Sequence, residues 1–126
     1  MAETKVLVID DNIDLTSIVS MILVAEGFSV KSCNTLEEGL FYLKDWKPQV
    51  LLLDVNVDGE DGRLLCEKIK ADKKDCIRVI LMSGDESTLE ATSSYGADDV
   101  IAKPFESTEL LKKISVFQQT LLIPDT

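Results

Sequence analysis

Histidine is absent from the 126 residues. That excludes histidine general bases, phosphohistidine intermediates and imidazole-bound metal. Cysteine is scarce and odd in number, three residues with no Cys-x-x-Cys spacing. A zinc site is therefore not expected, and Cys33, Cys66 and Cys76 are read as buried or half-buried free thiols. Positive charge is also short: 13 basic residues stand against 23 acidic ones, for a net charge of −10. This balance argues against direct nucleic-acid binding. It permits a cation in an acidic pocket or a basic partner surface, although most of the acid reads as solvated exterior. Long apolar runs are missing as well. None spans a bilayer and no signal-peptide pattern opens the chain, so a cytosolic, membrane-free protein is expected. Repeats, low-complexity tracts and internal linkers are absent too. The length fits a single domain over residues 1–126, which buries roughly two thirds of its unfolded surface.

What is present is an alternation of short apolar runs and amphipathic stretches. "KVLVID" (Lys5–Asp10) is an apolar run ending in acid. Leu15, Ile18, Val19, Ile22 and Leu23 then follow helical spacing, with Asn12 as cap and Gly27 as stop. "FSVKSC" (Phe28–Cys33) reads as an edge strand. Thr35-x-x-Glu38 forms a capping box, and Leu36, Leu40 and Leu43 continue that helix. Val50 to Leu53 is an unbroken aliphatic run, a strand buried on both faces, and Asp54 stands at its end. After a Gly-rich loop, Asp58 to Gly62, a third helix carries Leu64, Leu65 and Ile69. "IRVILMS" (Ile77–Ser83) is a fourth strand. Glu86 to Tyr95 is a fourth helix, weak in propensity because of its Ser and Thr, and Gly96 ends it. "DVIA" (Asp99–Ala102) is a fifth strand, and Ser107 caps a last helix with the stripe Leu110, Ile114, Phe117 and Leu121, fraying before Pro124.

Five strands alternating with five helices predict an α/β fold, a doubly wound parallel sheet with helices on both faces. The flavodoxin-like order 2-1-3-4-5 is expected, with ligands beyond the carboxyl ends of the strands. Those ends carry Asp10 and Asp11, Asp54, Ser83-Gly84, and Lys103-Pro104. Carboxylates converging on one rim raise each other's proton affinity, and a divalent cation relieves them. Magnesium suits hard oxygen donors with no imidazole or thiolate nearby. A hydroxyl, a free backbone N–H and an ammonium complete the parts that hold a transferring phosphoryl group. With no histidine or activated cysteine, a carboxylate is the natural nucleophile. Taken singly, each part has a plainer reading as a helix cap or a surface charge. Their placement at successive strand ends points to a site.

With "VLVIDDN", "LLLDV", Asp61-Gly62, "VILMSG", "GADDVIAKPF" and "ELLKKI", the chain resembles the receiver domain of two-component response regulators. The likeness runs from about Lys5 to Gln118, which makes residues 119–126 a C-terminal tail. The resemblance implies that Asp54 is the phosphoacceptor. It also implies that Asp11 and Asp54 bind Mg2+ directly, Asp10 through water and Asn56 through its backbone carbonyl. Ser83 would contact the phosphoryl group and move with it, and Lys103 would pair with Asp54 or its phosphate across a cis Lys103-Pro104 peptide. The implied donor is a histidine kinase or phosphotransfer protein. The implied output is a domain, a partner protein or a homodimer engaging the fourth helix, fifth strand and last helix. The chain would be no enzyme beyond accepting a phosphoryl group and losing it slowly to water.

Two positions depart from the family pattern. Val100 stands where an aromatic residue is usual, and its side chain cannot turn inward as a ring does. Asp58 stands where proline is common in the loop after the acceptor. Three other readings compete. A pseudo-receiver that only binds partners is compatible with Val100, but the complete set of site residues argues against it. A haloacid-dehalogenase-like phosphohydrolase needs a second acid where Asn56 stands. A flavodoxin-like cofactor protein needs a Ser, Thr and Gly-rich loop where "DDNIDL" stands.

Overall fold

The computed structural model describes residues 3–72, 76–85 and 95–122, with side chains through Phe117. Strands β1 (Lys5–Ile9), β2 (Ser29–Cys33) and β3 (Val50–Asp54) precede a small hairpin of β4 (Asn56–Val57) and β5 (Glu60–Asp61). Strands β6 (Arg78–Ser83) and β7 (Asp99–Ala102) follow. The main sheet has the order β2-β1-β3-β6-β7 and is parallel throughout. Without the hairpin strands this is the expected 2-1-3-4-5.

The aliphatic runs decide which strands are central. Val6 to Ile9, Val50 to Leu53 and Val79 to Met82 have no accessible surface. Unbroken apolar sequence fits a parallel strand covered on both sides. β2 takes an edge because Lys31 and Ser32 are exposed. Alternate side chains of the central strands feed two cores. Val6, Val8, Val50, Leu52, Ile80 and Met82 face helix α1 (Ile13–Ala25) and the C-terminal helix (Ser107–Leu122). Leu7, Ile9, Leu51, Leu53, Val79 and Leu81 face α2 (Leu36–Asp45) and α3 (Gly62–Ala71). Burying each such side chain stabilises the fold by about 1.5–3 kcal/mol relative to exposure.

The caps hold where the sequence places them. Asn12 Oδ1 accepts the Leu15 N–H at 3.1 Å, and Thr35 Oγ1 accepts the Glu38 N–H at 3.2 Å. Gly27 leaves α1 with φ of +94°, a left-handed turn that glycine adopts without strain.

Several details differ from expectation. Ile18 is 56% exposed, and Thr16 is buried in its stead on α1. The Thr16 hydroxyl donates to the Ile13 carbonyl and accepts from Asn34 Nδ2, so its burial leaves no orphan polar group. Ser107 is the first residue of its helix rather than the cap, because the Glu106 carbonyl accepts the Leu110 N–H. That helix runs through Leu122, past the expected core boundary at Gln118, and the side chain of Leu121 lies outside the description. The segment after the acceptor is a hairpin and not a loop, for reasons of turn chemistry given below. Cys33 and Cys66 are buried, but Cys76 is exposed on the connection into β6. The helix expected over Glu86–Tyr95 lies outside the described residues except for Tyr95, as does the stretch from Ile123 around Pro124.

Candidate functional site

β1 delivers Asp10 and Asp11 to the carboxyl edge of the sheet. The Asp10 N–H continues the pairing of the strands by donating to the Cys33 carbonyl. Its carboxylate is wholly buried and accepts the Asn12 N–H at 2.9 Å. Asn34 Nδ2 donates to the Asp10 carbonyl at 2.8 Å, which fixes the turn into α1. Asp11 points outward and is exposed.

Asp54 is the last residue of β3, is 7% exposed and pairs in register with Met82. Lys103 leaves β7 with its N–H on the Ser83 carbonyl at 2.8 Å, and its peptide to Pro104 is cis. The Lys103 ammonium lies 2.5 Å from Asp10 Oδ2 and 3.3 Å from Asp54 Oδ1. One cation thus bridges two buried carboxylates, and Asp10 is the closer partner. Ser83 is also 7% exposed, and its Oγ accepts the Asp85 N–H at 3.0 Å.

Asp10, Asp11 and Asp54 each offer a carboxylate oxygen, and these atoms lie within 4.8 Å of one another. Burial, and then the Asp10 charge, push the Asp54 carboxyl above its ordinary range, while Lys103 and the Asn56 N–H pull it down. The upward causes dominate, so the acids are under-neutralised by the protein alone. Among the described residues, three acids stand against the Lys103 ammonium, a deficit that a divalent cation would close. The donors are all hard oxygens, which fits Mg2+.

Asp10, Asp11, Asp54 and Lys103 are brought together at this rim, and Ser83 meets Lys103 through its carbonyl while its hydroxyl contacts Asp85. The Asn56 N–H bears on Asp54, while its Oδ1 accepts the Gly59 N–H at 3.0 Å. Val100 is half-buried against the α2–α3 core.

Two features escaped the sequence reading. A Cβ on Gly62 would lie 2.1 Å from the Asp54 carbonyl oxygen, so α3 can start here only without a side chain. Asp61 caps α3 through the Arg63 N–H at 2.9 Å and grips the Arg63 guanidinium through both oxygens. That grip holds the Asp61 carboxyl below its usual range and withdraws it from the acid cluster. The second feature is the hairpin turn Asp58-Gly59, with φ of +54° and +86°. Asp-Gly between paired strands is a strong two-residue hairpin signal and was available in the sequence. Its Asp58 N–H reaches back to Asp11 Oδ2 at 2.8 Å.

The family description "Response regulator receiver domain" matches residues 6–115. DNA-binding response regulator MtrA of Mycolicibacterium paratuberculosis is 27% identical over 112 residues, covering 87% of this chain and 49% of that protein. The chain spans about half the length of the curated relatives it matches. The receiver domain of NtrX from Brucella abortus superposes with a TM-score of 0.83 at 28% identity, covering 91% of this chain and 98% of that one. The BeF3-activated receiver domain of DrrB, a Thermotoga maritima protein, gives 0.83 at 28% identity, covering 94% and 99%. With the acid cluster and its lysine at the carboxyl ends of a 2-1-3-4-5 sheet, the chain belongs to the response regulator receiver domain family of two-component signalling.

Proposed function

We propose that Asp54 accepts a phosphoryl group from a histidine kinase or a histidine phosphotransfer protein. The observation that carries this is the Lys103 ammonium shared between Asp10 and Asp54 beside Asp11. An Asp54 carboxylate oxygen attacks phosphorus, the P–N bond to the donor imidazole breaks, and an acyl phosphate forms. Asp11, Asp54, the Asn56 carbonyl and, through water, Asp10 would hold Mg2+, which would supply neutralisation of charge on the phosphoryl oxygens. Lys103 then exchanges its Asp54 contact for a phosphoryl oxygen, and the Ser83 hydroxyl leaves Asp85 to meet another. Water later returns the carboxylate and inorganic phosphate.

The rim suits a macromolecular donor. α1 starts beside Asp10 and exposes Ile13, Ile18, Met21 and Val24, with Asp14 as its only charged residue. No helix among the described residues is long and apolar enough to cross a membrane, and we place the protein in the cytoplasm. The readout falls on the segment 86–95, β7 and the C-terminal helix, of which the first lies outside the described residues save Tyr95. An output domain, a partner protein or a second copy would meet that face.

Incubation with acetyl phosphate and Mg2+, followed by intact mass, tests this. One hydroxylamine-labile phosphoryl group is expected on the wild type and none on Asp54→Asn. Equal labelling of both overturns the assignment. Steady turnover of small phosphate esters would instead favour the phosphohydrolase reading, which Asn56 argues against.

A further inference from the structure

We propose that Asp58 is a positioning residue of this site through its backbone, not its carboxylate. The inference rests on the phosphoacceptor reading and deepens it.

Asn56 pairs with Asp61 and Val57 with Glu60, so Asp58 and Gly59 alone turn the chain. Both have positive φ, the signature of a type I′ turn, whose twist matches that of the flanking strands. Asn56 Oδ1 closes the turn on the Gly59 N–H. The left-handed φ of +54° at Asp58 is what the turn requires, and the Asp58 N–H lies 2.8 Å from Asp11 Oδ2.

Asp11 needs such a donor. Asp10 is wholly buried and is held by the Asn12 N–H and by Lys103. Asp54 is held by Lys103 and the Asn56 N–H. Asp11 is exposed, and the Asp58 N–H is the partner seen for its carboxylate. One oxygen of Asp11 is thereby fixed and the carboxylate is oriented before any cation arrives. Outer-shell hydrogen bonds of this kind orient metal ligands and commonly govern affinity ten- to a hundredfold.

Proline at this position would remove the contact twice over. It has no N–H to donate, and its ring confines φ to about −65°. The departure at Asp58 is therefore a gain of one donor on a metal ligand. By linkage, a cation that fixes Asp11 must also steady the hairpin.

The experiment uses the unphosphorylated chain as wild type, Asp58→Asn and Asp58→Pro. Asparagine keeps the N–H and tolerates positive φ, but removes the charge. Calorimetric Mg2+ titration should leave Asp58→Asn within about threefold of wild type and weaken Asp58→Pro about tenfold or more. Amide exchange without metal needs no variant at position 58. In Asp11→Ala the Asp58 amide should exchange about tenfold faster, while the Gly59 amide, bonded to Asn56, stays protected. Wild-type affinity in Asp58→Pro, or equal loss in Asp58→Asn and Asp58→Pro, overturns the inference and leaves the phosphoacceptor reading standing. An unchanged Asp58 amide in Asp11→Ala overturns it too, even if the proline variant fails to fold. A wild type that takes neither Mg2+ nor phosphoryl overturns both.

Discussion

Asp54 is a carboxyl whose charged form the fold disfavours. Burial comes first among the causes and the neighbouring Asp10 second. Its folded pKa lies above the ordinary 3.8, so the associated stability is full below that value and is lost as pH rises through the raised one. In chelator, Asp54→Asn should therefore melt several degrees above wild type at neutral pH. The gap should close as pH falls towards about 4, the ordinary range of a carboxyl. Calorimetric melts across that range check this, and a gap that widens in acid would contradict the sign. Lys103 carries the opposite expectation. Removing it strands a wholly buried Asp10 without its cation. Loss of one partner of a buried pair costs about 3 kcal/mol or more, less here because the lysine side chain is 24% exposed. Lys103→Ala should thus lose about 2 kcal/mol of metal-free stability by urea titration. It should still be phosphorylated, with a weakened set of activation shifts by NMR.

At the scale of elements, the site depends on how closely α3 crosses β3. At Gly62 the atom an added Cβ would meet is the Asp54 carbonyl oxygen, which cannot swing aside. At Gly39 the nearest atom is Ile9 Cδ1 at 2.3 Å, the end of a side chain that can rotate. Gly62→Ala should cost about 3 kcal/mol and impair phosphorylation, and Gly39→Ala about 1 kcal/mol with phosphorylation kept. Equal melting temperatures for the two variants would show that the backbone contact yields. The elements themselves were legible for specific reasons. Val50 to Leu53 and its counterparts have no polar residue to mark an exposed face, and Asn12, Thr35 and Gly27 punctuate correctly. In the stripe of α1, Leu15, Val19, Ile22 and Leu23 are buried or half-buried as spaced, and only Ile18 is not, because Thr16 is buried in its stead. Hydropathy assigns Thr16 outward, and its bonds to the Ile13 carbonyl and Asn34 are what let it be buried. The Asp58-Gly59 turn is legible too, since Asp-Gly between short strands signals a two-residue hairpin rather than an open loop.

At the scale of the molecule, strand order and the placing of acids, serine and lysine on one rim followed from alternation and handedness. The ties between distant segments did not. Asp98 accepts from Lys70 at 2.7 Å, from Arg78 at 3.4 Å and from the Val79 N–H at 2.8 Å. One carboxylate so joins α3, β6 and the approach to β7, and no local spacing announces it. The net charge of −10 sets a further expectation. An ion bound only by the folded state adds RT ln(1 + [L]/Kd), about 2.7 kcal/mol at a hundredfold excess. Mg2+ at that excess should raise the melting temperature of wild type by that equivalent, and Asp11→Ala should lose most of the rise. Sodium at matched ionic strength gives the baseline for general screening. A rise of equal size with sodium would place the effect on the acidic surface at large.

The parallel order also sets a schedule. β1 lies between β2 and β3, and its second partner begins only at Val50. Until that residue has been made, one side of Val6 to Ile9 has no strand to meet, however well α1 and β2 have formed. β3 in turn waits for Arg78, and β6 for Asp99. Each closure joins segments well separated in the chain, so the pairings that matter are slow to find. A nascent chain therefore carries the aliphatic β1 well before β3, the strand that completes its pairing, has been made. That interval, rather than the finished fold, is when this protein is most exposed to aggregation.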